Sequence, residues 1–467
     1  MTRSFTAVGR AIGRRIASAP PALVLAVAWI VLVIYAFPGQ MTQDSWDHLT
    51  EARRGIYTDG HPPAMDLLFR WADYVIPGPF LLLVVQSAAL LLGLHRVLRR
   101  ALSERGAAWA TLGCYLYPPV MLVMVVIWKD CVMAGFLALG IGALLDDRRW
   151  VRVLALAALV VASAVRYNAF AATLPAVVLL FEWRPGAPWL RRYAISFCAW
   201  LAITLAAFAI NRALTDRPMY LWQSTLAVYD IVGTLNYVDG EASDAELEQL
   251  LAGTDLRVHR DIHKTMRALY SPTNFIAILV DPTHPLWSLP INGTEPAPEP
   301  VRDAVTRAWW GVVTRHPGAY LRHRLAVTGA VLSLGHMHAA GVVTRRDAFR
   351  YFDVVHQMGL GTGWSPLQDR WTHAMNRLAR GTPLFAPWLY LLASLVLIAL
   401  ALRQRDALAI LLSGVVYEAT LVPLAASHDY RYSHWMILTT CVAAILVIAR
   451  RRAARSPAPV VPGERAR

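Results

Sequence analysis

Residues 20–37 read PPALVLAVAWIVLVIYAF, an apolar run without a charged side chain. Residues 38–78 continue as PGQMTQDSWDHLTEARRGIYTDGHPPAMDLLFRWADYVIPG, a stretch dense in Asp, His and Glu. The step from the first to the second decides the fold. A helix that crosses a bilayer needs ~20 apolar residues, with ~17 as the short limit. The run meets that length and comes after Arg3, Arg10, Arg14 and Arg15. It lacks the small-residue cleavage site of a signal peptide. It reads as an uncleaved first membrane span, with residues 1–19 as a cytoplasmic amino-terminal segment.

Composition carries the same message outward. Of 467 residues, 56% are hydrophobic and 16% charged, and mean hydropathy is +0.41. Ordinary globular chains carry about 25% charged residues. A chain this apolar has too little polar surface to face water, so the bilayer is its natural solvent. Further apolar runs cover 79–95, 107–127, 131–146, 151–166, 168–182, 193–211, 386–402, 406–426 and 434–449. The prediction is an all-α polytopic membrane protein of about ten transmembrane helices, seven in 20–211 and three in 386–450.

The formal charge of +14 is a topology signal. A nucleic-acid binder gathers such charge on one polar face, whereas here the arginines sit in short clusters between apolar runs. With the amino terminus inside, the predicted inner loops hold Arg96–Arg99–Arg100–Arg105, Arg148–Arg149–Arg152, Arg184–Arg191–Arg192 and Arg403–Arg405. The tail carries Arg450, Arg451, Arg452 and Arg455. This is the positive-inside pattern, and it requires an even number of spans and two cytoplasmic termini. Segment 325–342 tests the parity. It is apolar enough to cross, but Gly335, His336 and His338 interrupt it, so it is assigned to an interfacial or re-entrant helix. Residues 212–385 then form a mainly helical extracytoplasmic region. Residues 451–467, rich in Pro, Arg and Ala, read as a disordered cytoplasmic tail. Cys114, Cys131, Cys198 and Cys441 lie in or beside apolar runs and read as buried thiols.

On that topology the unusual polar residues gather on the outer side. Loop 38–78 carries Asp44, Asp47, His48, Glu51, Asp59, His61 and Asp66. Later outer turns read 128-WKD, 166-RYN and 427-SHDYRYSH, which add Lys129, Asp130, Arg166, Asn168, Asp429 and Arg431. Ionisable groups near membrane depth are functional candidates by default. Each also has a structural reading. Lys129 is suited to anchoring beside Trp128, with Asp130 as an ion-pair partner. Arg166 and Asn168 are placed to cap helix ends, and Asp44 to cap a helix running to about Arg54. The i, i+2 spacing of His336 and His338 does not put both on one helical face. Asn292-Gly293-Thr294 has the form of a glycosylation acceptor and is read as chance. No P-loop, GxGxxG, HExxH, nucleophile elbow or CxxC framework is present, so nucleotide-driven and zinc chemistry lack support.

An Asp shortly after the first span, followed by 57-YTDGHPP, resembles the first outer loop of the GT-C superfamily of membrane glycosyltransferases. The likeness extends to protein O-mannosyltransferases and related bacterial enzymes that use polyprenyl-phosphate sugars. The resemblance implies that Asp44 is the catalytic acid residue and that Asp59, His61, Pro62 and Pro63 form the second motif element. Two positions depart from it. Ser45 stands where the mannosyltransferases have Glu, and Met65-Asp66 stands where Gly-Lys is common.

The resemblance implies transfer of a sugar from a polyprenyl-phosphate donor to a cell-envelope acceptor on the extracytoplasmic face of the plasma membrane, with inversion. Asp44 is expected to act as base or to orient a divalent cation together with Asp47. Lys129, Arg166 and Arg431 are suited to the departing phosphate, where negative charge develops. Asp47, Asp59, His61, Asp130, Asn168 and Asp429 complete the expected substrate-binding set. The expected partners are the lipid-linked sugar, the acceptor and membrane lipid, with no nucleic acid. The alternative from another class is a lipid-linked saccharide transporter or flippase. A transporter is expected to hold its ionisable residues near the midplane on broken helices.

Overall fold

Each of the ten apolar runs is helical, because backbone in such surroundings must satisfy its own hydrogen bonds. A computed structural model of the chain describes residues 18–184, 186–238, 243–254, 262–275, 278, 296–335 and 366–455. Among these, regular structure is helix throughout, with three isolated β-bridges. The apolar helices are α1 (Pro21–Ala36), α4 (Phe80–Leu98), the pair α5 (Glu104–Tyr115) and α6 (Pro118–Met124), α7 (Lys129–Leu144) and α8 (Arg149–Val165). They continue as α9 (Ala169–Leu180), α10 (Trp189–Leu214), α17 (Pro387–Ala401), α18 (Arg405–Leu424) and α19 (His434–Arg455).

Length separates them. Four helices, α4, α10, α18 and the stretch ending in α19, are long and apolar enough to cross a bilayer. A fifth joins them if α5 and α6, bent by 69°, form one broken span. The bend falls at Pro118, whose missing N–H and ring end one helix and open the next. α1, α9 and α17 are apolar but shorter.

Loop 38–78 is a pair of helices. α2 (Gln43–Arg54) packs on α3 (Pro63–Val75). Asp44 is not the cap expected of it. Thr42 holds that position, its N–H donating to Ser45 Oγ (3.1 Å), and Asp44 sits in the first turn. A carboxylate there still gains from the helix dipole. Gly55, with φ of 68°, ends α2 in the left-handed conformation that favours glycine.

The centre of the bundle is α7, packed between α4 and α8. Small residues allow the approach. A Cβ added to Gly93 on α4 would lie 2.2 Å from the Ala138 backbone. Such backbone contact supplies the van der Waals packing that holds apolar helices together where the hydrophobic effect is weak. Where α18 begins and α19 ends, Arg450 forms a paired ion bridge to Asp406 (2.6 and 2.5 Å). At the same end Glu182 meets Arg192 (2.6 Å) and Arg405 (3.0 Å). The helix therefore persists through Arg455. Residues 451–455, expected in a disordered tail, are helical, and residues 456–467 lie outside the described ones.

Region 212–385 contributes α11 (Ala227–Asn236), α12 (Asp244–Leu251), α13 (Ile262–Leu269), α14 (Glu299–Arg315), α15 (Pro317–Val331) and α16 (Pro366–Gly381). Its core joins Val228, Ile231, Val305, Val312 and Val327 to Leu421 and Ala425 of the α18 end. At its centre Asp230 receives Trp309 Nε1 (2.8 Å) and an ion pair from Arg324. Arg324 also donates to the Ala425 carbonyl (2.8 Å). Of segment 325–342, the described part is the end of α15, stopped by Ser333 and Gly335 at positive φ. His336 and His338 lie outside the described residues, as do most of residues 1–19 and the sequence Asn292-Gly293-Thr294. The four cysteines are free. Cys114 and Cys131 are buried, but Cys198 is exposed on the outward face of α10, contrary to the expectation for it.

Candidate functional site

The end of the bundle where α1 stops and α7 and α19 begin brings four sequence-distant turns together. The first is fixed by backbone. Gln40 N–H donates to Val125 O (3.1 Å), and Ile127 N–H donates to Gln40 O (2.9 Å). Trp128 Nε1 then donates to Thr42 Oγ1 (2.7 Å), and Ser45 Oγ donates to Ile127 O (2.8 Å). Ser45 is fully buried, and its hydroxyl serves two backbone groups. A larger or charged side chain there would displace these bonds and bury its own polar group.

These bonds set Asp44 beside the turn between α18 and α19. Arg431 Nη2 lies 2.7 Å from Asp44 Oδ2 and 3.1 Å from Asp429 Oδ2. The guanidinium also sits over the Trp128 ring, 4.7 Å from its centroid, and 5.6 Å from that of Tyr432. Tyr432 faces a second guanidinium, that of Arg166, at 5.2 Å. Arg166 bridges to both oxygens of Asp130 (3.3 and 3.4 Å), whose side chain is fully buried. Asn168 accepts from Arg166 Nε (3.3 Å) and donates to Thr420 Oγ1 (2.8 Å), so its amide joins the cluster instead of capping α9.

Lys129, next to Asp130, donates to His61 Nδ1 (2.8 Å). An ammonium has no acceptor, so that ring nitrogen carries the lone pair and neutral His61 keeps its proton on Nε2. The loop carrying His61 is held by neighbours. Asp59 Oδ1 accepts the Met219 N–H, and Tyr167 Oη donates to the carbonyls of Asp59 (3.3 Å) and His61 (3.4 Å). Asp59 thus fastens the motif to segment 216–219. Buried Asn211 adds a second fastening, accepting from Ala64 N–H (3.0 Å) and donating to Ala164 O (2.8 Å).

Behind His61 lies a pair absent from the expected site. His48 Nδ1 and Asp66 Oδ1 are 2.5 Å apart, both essentially inaccessible, and the His48 ring is 4.7 Å from that of His61. Asp66 is half of the second motif departure, and His48 is its counterpart. Their separation of 18 residues gives no local signal; only the packing of α2 on α3 makes the contact.

The electrostatics arise from these distances. Burial alone raises the Asp44 pKa, but Arg431, then Lys129 and His61, bring it well below the usual carboxylate range. Burial, Lys129 and His48 push His61 well below the ordinary imidazole value against the pull of Asp44, with Arg431 adding to the push. Burial raises Asp66, and the His48 bond opposes that rise. At neutral pH Asp44 is therefore anionic and His61 neutral. A divalent cation does not fit here. The groups on Asp44 are cationic, Asp47 Oδ1 accepts from Gln43 Nε2 (2.7 Å), and the described residues contain no metal-holding set of three or more His, Cys, Asp and Glu.

No protein-family model matches the chain, and neither a curated protein nor a solved structure matches it.

Proposed function

We propose that the protein is an integral-membrane glycosyltransferase that moves a sugar from a polyprenyl-phosphate donor to a cell-envelope acceptor on the extracytoplasmic face of the plasma membrane. The observation that carries this reading is the Asp44–Arg431 contact of 2.7 Å, made within one cluster that also holds Lys129 and Arg166. A carboxylate and several fixed cations at the end of an apolar bundle suit the headgroup of a lipid-phosphate sugar. The topology proposed with it has ten crossings and both termini in the cytoplasm. The arginine-rich turns then face inward and this cluster faces out.

In the reaction the acceptor oxygen attacks the anomeric carbon. The bond from that carbon to the phosphate oxygen breaks, and its electron pair stays with the phosphate. Lys129, Arg166 and Arg431 stabilise the oxygens on which charge grows, and do so more effectively than in water because they are already oriented. Asp44 accepts a hydrogen bond from the acceptor hydroxyl and aligns it for attack, and the hydroxyl proton passes to a basic group of the same cluster.

The test is transfer from radiolabelled polyprenyl-phosphate sugars to membrane acceptors by protein reconstituted in vesicles. The expected result is label in an acceptor, reduced by ~10²-fold in Asp44→Asn, which no longer aligns the hydroxyl as a carboxylate does. Label that crosses the bilayer without entering an acceptor would replace this reading with that of a flippase.

A further inference from the structure

The proposed reaction releases a proton from the acceptor hydroxyl, and Asp44 is badly placed to keep it. Its carboxylate is held by Arg431 at 2.7 Å. A base works best when its pKa lies near the working pH. A basic atom of the same cluster is His61 Nδ1, which is covered by the Lys129 ammonium at 2.8 Å. Lys129 is also one of the cations suited to the donor phosphate, and Nδ1 is uncovered only if the ammonium turns away from it.

We propose, resting on the glycosyltransferase reading, that His61 is the catalytic base, masked by Lys129 until the donor binds and unmasked when Lys129 turns to the donor phosphate. The acceptor proton passes to Nδ1 as the new carbon–oxygen bond forms, and the leaving phosphate keeps the electron pair of the broken bond. No other reactant is needed.

The charges around the ring favour this order of events. Lys129, Arg166 and Arg431 are matched by Asp44, Asp130 and Asp429, so the resting cluster is balanced. A phosphate tips the balance negative, and a proton on imidazole is the change that restores it. The groups facing His61 are Lys129 at the start of α7, Asp44 and His48 on α2, and Arg431 beyond the end of α18. Asp66 on α3 stands behind His48. The ring therefore lies between cations that hold it neutral at rest and an incoming anion that relieves them.

The experiment compares wild type, His61→Gln and His61→Asn in vesicles, measuring binding of unlabelled polyprenyl phosphate and transfer at saturating donor from pH 5 to 8. Glutamine retains an acceptor for Lys129 but no basic nitrogen. Expected is lipid-phosphate binding within about 3-fold of wild type, transfer lower by ~10²–10⁴-fold, and loss of the acid limb seen in the wild-type kcat. A His61→Gln protein that transfers within ~10-fold of wild type, or loses binding and transfer in parallel, overturns the base assignment. So does a wild-type kcat that is flat across this range, a readout independent of whether either variant folds. Failure of wild type itself to transfer sugar overturns the underlying function, and that result is distinct from the others.

Discussion

The cations that keep Asp44 ionised also keep His61 neutral, and this has a consequence for stability. A histidine whose folded pKa is depressed contributes stability that is fully present above its unfolded value, ~6.5, and lost as pH falls through the folded value. The wild-type unfolding midpoint in detergent is therefore expected to fall between pH 7 and pH 5 more steeply than that of His61→Gln. Parallel slopes would show that His61 is not held neutral. Asp44, whose folded pKa is also depressed, works in the same sense, but its stabilisation is lost only as pH falls below the unfolded carboxylate value of ~4, so it adds no slope in this window. Asp44, Lys129, Arg166 and Arg431 were all legible in the sequence, because a charged residue at the end of an apolar run stands out. Trp128, Asn211 and the His48–Asp66 pair were not. Their roles depend on partners in other elements, and neither composition nor local spacing reports such a partner.

At the scale of elements, hydrophobic runs located every apolar helix but did not give their lengths as spans. The run 107–127 is two helices because Pro118 breaks it, and the loop 38–78 is two helices because Thr42–Ser45 and Pro63 each start one. The first helix of that loop is the one expected to run to about Arg54, with Thr42 in the capping place expected of Asp44; the second, Pro63–Val75, was not expected. The packing of α4 on α7 offers a direct test. Gly93→Val places atoms where the Ala138 backbone already lies, so the helices must separate. We expect a loss of about 1–3 kcal/mol, read as a lower unfolding midpoint and reduced yield of monodisperse protein. Unchanged behaviour would mean that the close approach is absent. Ser45→Ala is expected to act differently, leaving Thr42 N–H and the Ile127 carbonyl each without the hydroxyl. Its cost is about 1–3 kcal/mol, and its main readout is reduced transfer, because these bonds set Asp44 beside Arg431.

For the molecule as a whole, arginine clusters and polar clusters fall at opposite ends of the bundle. Asp406–Arg450 and Glu182–Arg192 mark one end, and Asp44–Arg431 the other. In a cysteine-free background, Gln43→Cys is expected to react with a membrane-impermeant maleimide on intact cells, and Arg403→Cys only after permeabilisation. Both positions are exposed. The reverse pattern would turn the candidate site toward the cytoplasm and end the proposed function.

The bond between Lys129 and His61 also bears on product release. Under the proposed reaction, once the sugar has gone the spent carrier retains its anionic head while the imidazole beside it holds the extracted hydrogen ion. Departure then means parting opposite charges, and acid surroundings delay it by keeping the ring protonated. Turnover in an acidified envelope would thus stall at carrier recycling, with the empty lipid acting as a progressively stronger inhibitor.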